Sequence, residues 1–116
     1  MKKIIFSTVL FNTSFKDLRR LTESIDLLNQ EFKNKYSNKI SIEFLIWDNS
    51  KKFYNYEEKL NFFKYKFYIK IFRSRKNLGY GLGHNSNLLK IKPNDETLFI
   101  ALNPDIYFNG NNIYGF

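Results

Sequence analysis

Apolar positions along the chain change period in a regular order. Residues 3–11 are almost continuously apolar and β-branched, as expected of a strand buried on both faces. Asn12, Thr13 and Ser14 interrupt that run. Phe15, Leu18, Leu21, Ile25, Leu28 and Phe32 then recur at steps of three and four residues, which sets them along one face of a helix. Ser14 with Asp17 forms a capping-box-like start, the shorter acid standing where Glu is preferred. Residues 40–47 read as a second strand that ends at Asp48-Asn49-Ser50, and residues 56–63 as a short helix. Residues 67–72 read as a third strand, with Phe67, Ile69 and Ile71 on one face and Tyr68, Lys70 and Phe72 on the other. The glycine-rich stretch 77–83 leads into a helix through Leu88, Leu89 and Ile91. Pro93-Asn94-Asp95 makes a turn, and residues 97–102 form a fourth strand. The Asn- and Gly-rich tail from Asn109 offers no further element.

The resulting alternation, β-α-β-α-β-α-β, predicts an α/β fold: a mostly parallel sheet with helices on both faces, in a single domain spanning residues 1–116. No internal repeat or interdomain linker is visible. In such sheets a ligand lies beyond the carboxyl ends of the strands. The places to search therefore follow Phe11, Trp47, Phe72 and Leu102, and all four carry polar or glycine-rich sequence.

Composition narrows the function classes. Hydrophobic residues make up 43% and aromatic residues 19%, which suits a folded domain rather than a disordered tail. With no cysteine, a disulfide framework and a Cys-ligated metal site are both excluded, and a reducing cytoplasm fits. Ser7, Thr8 and Asn12 break the opening apolar run and no small-residue cleavage site follows, so no signal peptide is expected. No stretch reaches the roughly 20 apolar residues that span a bilayer. The formal charge of +8 has two readings. It is either lysine on solvated surface or a surplus that attracts anionic nucleotide, nucleic acid or lipid headgroups. The basic residues come in ones and twos, and the local cluster worth following is Arg73, Arg75 and Lys76.

Each strand end carries candidate chemistry beside a plainer alternative. Asp48 can accept hydrogen bonds from a ribose or a base N–H, with Asn49 and Ser50 adding contacts. Alternatively, the three residues only make a turn. Residues 77–85 let backbone amides approach a ligand, and the helix that follows offers unpaired N–H groups and a positive dipole end. A diphosphate suits that setting; the alternative is a tight strand-to-helix turn. The stretch is not a P-loop, because no Gly-Lys-Ser/Thr follows, and it fails the dinucleotide fingerprint where His84 replaces glycine. Asp105, in Asn103-Pro104-Asp105, could hold Mg²⁺ or Mn²⁺ through oxygen ligands and substrate phosphates, or could be a solvated turn residue. His84, the single histidine, reads as a structural residue rather than a catalyst. The Phe- and Tyr-rich patch 62–72 reads as core and strand rather than a stacking platform for bases.

Taken in order, four segments resemble family 2 glycosyltransferases, particularly the rhamnosyltransferase-like branch. They are Val9-Leu10-Phe11-Asn12, Trp47-Asp48-Asn49-Ser50, the stretch from Asn77-Leu78-Gly79 to Gly83-His84-Asn85, and Leu102-Asn103-Pro104-Asp105. The resemblance covers residues 3–108. It implies a GT-A fold, a Rossmann-like arrangement that binds a UDP- or dTDP-linked sugar donor, generally with a divalent cation (Mg²⁺ or Mn²⁺). By the same resemblance, Asp48 and Asn49 would hold the base or ribose, and Asn12 with the backbone around Val9 would line the nucleoside pocket. Asn77, Gly79 and Asn85 would shape the phosphate and sugar side, next to Asn103. Asp105 would be the metal-binding acid of the family's Asp-x-Asp motif, in which Asn103 replaces the first acid.

Similar bacterial enzymes continue well past this point and supply an acceptor surface and an acidic base for inverting attack. Residues 108–116 contain no acid, so no catalytic base is assigned, and a truncated enzyme half is expected. Either the chain is a fragment or truncated gene product, or a second chain completes the site; self-association is the other partner expectation. The resemblance implies transfer to a cell-surface glycan, polysaccharide or lipid-linked acceptor. The expected location is the cytoplasm, with peripheral contact at the inner face of the membrane. The main alternative keeps the fold without catalysis, as a nucleotide-sugar-binding or partner-binding module. Nucleic acid is not expected as a partner, because the lysines are dispersed and no RNA-binding signature is present.

Overall fold

A computed structural model describes residues 2–37, 39–74, 79–91 and 96–108, with backbone only for residues 79–81. Seven elements follow one another. They are β1 (Lys2–Leu10), α1 (Phe15–Tyr36), β2 (Ile40–Asp48), α2 (Tyr56–Asn61), β3 (Tyr68–Arg73), α3 (Gly79–Leu88) and β4 (Thr97–Leu102). The strands form one sheet in the order β3-β2-β1-β4, and every pair is parallel. The chain steps from β1 through β2 to β3, then crosses back to place β4 on the far side of β1. Strand order thus reverses at β1, between β2 and β4.

β1 is central, and its residues from Ile5 to Leu10 are all buried, as a strand covered on both faces requires. Phe6 and Leu10 point to one face, together with Ile42, Phe44 and Ile46 of β2. Leu18, Leu21, Ile25 and Leu28 of α1 close over them, and Tyr56 and Leu60 of α2 complete the layer. The periodicity that predicts α1 is therefore its packing face. Ser14 caps the helix, its Oγ accepting the Asp17 N–H at 3.2 Å. α2 is capped by Asn55, which sits at φ 52°, a left-handed conformation that asparagine tolerates. Phe67, Ile69 and Ile71 pack against the same core, whereas Tyr68 and Lys70 are exposed, so β3 divides its faces as the alternation predicts. Beyond β4 the chain returns over this face. Phe108 is buried with its ring 6.3 Å from Phe6, and its N–H donates to Ser24 Oγ at 2.8 Å.

α3 covers the opposite face, over β1 and β2. Residues 77–83 read in the sequence as a loop leading into a helix, but the backbone is already helical from Gly79. Glycines lower helix propensity by about 1 kcal/mol each relative to alanine, so local sequence argues against a helix here. Tertiary contacts override it. A Cβ on Gly83 would lie 2.7 Å from Val9 Cγ2, 2.9 Å from Val9 Cγ1 and 3.3 Å from Trp47 Cδ1. Only a residue without a side chain lets α3 sit this close to the sheet. His84, the next residue, and Asn87, one turn on, are also buried. Asn87 Nδ2 donates to Ser7 Oγ at 2.8 Å and to the carbonyls of Thr8 and Leu45, both at 3.3 Å. The turn expected at residues 93–95 and the tail from residue 109 lie outside the described residues.

Among the described residues no helix is long and apolar enough to cross a membrane.

Candidate functional site

All four strands are parallel and in register, so their carboxyl ends share one edge of the sheet. Leu10 is level with Asp48, Asp48 with Arg73, and Thr8 with Leu102. The loops that leave this edge are bonded to one another. The Asn49 N–H donates to the Leu10 carbonyl at 2.8 Å, and the Ser74 N–H to the Asp48 carbonyl at 3.2 Å. The Asn12 N–H donates to Ser50 Oγ at 2.9 Å, and Asn12 Oδ1 accepts the Lys51 N–H at 3.3 Å. Asn12 adopts φ 49°, which turns the chain out of β1 toward the β2 loop. Below them the Tyr56 hydroxyl donates to the Thr13 carbonyl at 2.6 Å. Burial raises the Tyr56 pKa, so the phenol remains a neutral donor at ordinary pH.

Asp48 sits in the middle of this edge, with its side chain only 4% exposed. Its Oδ1 accepts the Ser50 N–H at 2.8 Å, the geometry of an Asx turn, and its Oδ2 lies 3.8 Å from Arg73 Nε. Both the turn reading and an electrostatic role are thus present: the carboxylate shapes its own loop and faces a cation. Asn49 is buried as well, its Oδ1 accepting the Trp47 indole N–H at 3.0 Å. Arg73 is 39% exposed, donates from Nη2 to the Ser50 carbonyl at 3.4 Å, and lies with its Cζ 5.1 Å from the centre of the Phe53 ring. Lys51 and Lys52 are exposed on the same loop. This corner therefore presents three cations around one largely sequestered carboxylate, an electrostatic setting that favours an anion.

Across β1, two strand spacings or about 10 Å from β2, the chain leaves β4 through Asn103, Pro104 and Asp105. The Asn103 carbonyl accepts the Ile106 N–H at 3.2 Å, closing a turn, and both Asn103 and Asp105 are exposed. The amino end of α3 comes to the same edge, because Gly83 rests on Val9 and Trp47 near the ends of β1 and β2. Asn12, Asp48, Asn49, Gly79, Asn103 and Asp105 thus lie along one edge of the sheet. The Val9 side chain is buried beneath Gly83, leaving only its backbone near the edge. Asn85 is exposed, unlike its buried neighbour His84. Asn77, Arg75 and Lys76 lie outside the described residues.

One Ser–His contact is invisible in sequence because 77 positions separate the partners: Ser7 Oγ and His84 Nδ1 lie 2.7 Å apart. Both residues are buried between α3 and the sheet, Ser7 completely and His84 to 7% exposure. Ser7 Oγ also takes a hydrogen bond from Asn87. A hydroxyl enclosed in this way cannot meet a substrate, so the pair holds the helix in place. Burial lowers the His84 pKa, which keeps the imidazole neutral at ordinary pH.

A divalent cation at Asp105 is compatible with the donor chemistry, since the residue offers exposed carboxylate oxygens. Among the described residues no three of His, Cys, Asp and Glu converge as a metal-binding group. Ligand phosphates would have to supply much of the coordination, a mode usual for Mg²⁺.

Phe53 is the feature of this edge that sequence reading does not single out. Its signal, an aromatic residue beside Lys51 and Lys52 in a polar loop, is weak until Arg73 is seen against the ring. The fold and site together define a parallel α/β domain with a polar, cationic carboxyl edge. Comparison with protein-family models finds no match, and comparison with curated protein sequences finds none either.

Proposed function

We propose that this domain binds the nucleotide of a UDP- or dTDP-linked sugar at the carboxyl edge of its sheet. In this reading it serves glycosyl transfer on a GT-A type fold of the family 2 kind. One observation carries the reading: four polar strand ends, with the amino end of α3, meet at one edge where strand order reversal favours a ligand crevice.

The roles follow from position. Asn12, Asn49 and Ser50 form the bonded floor under the nucleoside. Asp48 acts mainly through what it holds, because its oxygens already face Ser50 and Arg73. Arg73, Lys51 and Lys52 offset the diphosphate charge, with backbone amides at the start of α3 contributing from the other face. Asp105 and the diphosphate would share a divalent cation, which when bound would ease departure of the nucleoside diphosphate. The sugar would then project past β4, toward the acceptor. Asn85, exposed on α3, would shape the sugar side of the site.

Calorimetry with UDP and dTDP, with and without Mn²⁺, tests the reading. The wild-type chain is expected to bind at least one of them, more tightly with the metal present, and Asp105→Ala is expected to abolish that metal effect. Absence of binding by both nucleotides would remove the proposal.

A further inference from the structure

Asp48, the residue whose type and position point most directly to nucleotide recognition, is almost closed off from solvent. Besides Lys51 and Lys52, the groups of this corner that reach solvent are Phe53 and Arg73. Phe53 is 68% exposed although it is a large apolar ring, and it stands at the carboxyl edge rather than over the core. One face of the ring is covered by the Arg73 guanidinium at 5.1 Å. Its placement is not that of a loose loop tip. The loop before it is tied to β1 through Asn49 to Leu10, through Asn12 to Ser50, and through Lys51 to Asn12. Arg73 is fixed in turn from the Ser50 carbonyl and the Asp48 carboxylate. The arrangement is an exposed aromatic surface backed by a cation, pre-positioned next to the anion-favouring corner.

We infer that Phe53 is the stacking platform for the base of the nucleotide, and that Arg73 orients the ring and bridges toward the phosphates. The inference rests on the nucleotide-binding reading above and assigns it a recognition element. A planar base stacks on an aromatic side chain whatever its hydrogen-bonding edge, and the guanidinium behind the ring adds cation–π attraction. Asp48 is then a positioning residue, holding Ser50 and Arg73 where they support the platform.

The test is calorimetric titration of UDP into the wild-type chain, Phe53→Ala, Phe53→Tyr and Arg73→Ala. Phe53 is exposed, so both of its variants should melt at the wild-type temperature, which separates lost binding from lost fold. Phe53→Ala is expected to weaken UDP by about 10-fold or more, the scale of one lost base–aromatic stack. Phe53→Tyr is expected to restore near wild-type affinity, and Arg73→Ala to weaken UDP as well. Undiminished UDP affinity in Phe53→Ala, or an equal loss in Phe53→Tyr, overturns the inference and leaves nucleotide binding itself standing. Failure of the wild-type chain to bind UDP or dTDP overturns both.

Discussion

The two faces of this sheet are held by different means. On one face, α1 and α2 lay Leu18, Leu21, Ile25, Leu28, Tyr56 and Leu60 over Phe6, Leu10, Ile42, Phe44 and Ile46. The contact is apolar and buried, and its strength scales with buried apolar area. On the other face, α3 brings a glycine, a histidine and an asparagine against Val9, Ser7, Leu45 and Trp47. That contact depends on close approach and on matched polar groups, so it can be broken by one misplaced atom. The same chain thus joins a volume-limited interface to a geometry-limited one.

Changes at the two faces should separate these mechanisms. The largest loss is expected on the apolar face. Phe44 is fully buried, and Phe44→Ala should cost about 3–5 kcal/mol through lost transfer energy and a residual cavity, measured by urea unfolding. Next comes steric intrusion at α3. Gly83→Leu places a Cβ where Val9 and Trp47 already stand, and should cost about 2–3 kcal/mol. Adding Val9→Ala to Gly83→Leu should recover part of that loss. Strict additivity of the two changes would mean that Gly83 does not serve close packing against Val9.

This contrast explains what could be read from the sequence. The four strands and α1 were legible because apolar area writes a period into the chain: Phe15, Leu18, Leu21, Ile25, Leu28 and Phe32 mark one helix face directly. α3 was legible as an element, but the meaning of its glycines was not. A glycine that admits a ligand and a glycine that admits a neighbouring strand look alike, and only the contact with Val9 and Trp47 assigns Gly83 to packing. His84 and Asn87 meet Ser7 across separations of 77 and 80 positions, a pairing with no local signal. At the candidate site, the shared edge followed from the parallel sheet that the β-α alternation implies, so Asn12, Asp48, Asn49 and Asp105 could be placed on it. The sequestration of Asp48 and the exposure of Phe53 could not, because burial at a loop depends on how neighbouring loops bond to one another.

Two smaller effects sharpen the comparison. Asn87→Ala removes the donor to Ser7, Thr8 and Leu45 and should cost about 1–2 kcal/mol, again by urea unfolding. A loss within error would show that α3 is held by apolar contact after all. The smallest effect is the pH dependence of the same face. Burial depresses the His84 pKa below its unfolded value of 6.5, so the unfolded chain binds the proton more readily. The contribution is fully present above that unfolded value and is lost as pH falls through the folded one. Melting temperature should therefore drop between about pH 7.5 and about pH 5.5 more in the wild type than in His84→Asn. Equal drops would mean that His84 does not couple α3 to protonation.

The account turns on where a nucleotide sits, and amide chemical-shift mapping during titration with UDP reads that location residue by residue. The shifts are expected to gather at Asn12, at residues 49–53, at Ser74, at the start of α3 and at residues 103–105. Shifts confined to the opposite edge, around Lys33, Ser41 and Lys66, or no shifts with either UDP or dTDP, would contradict a ligand site at the carboxyl ends of the strands.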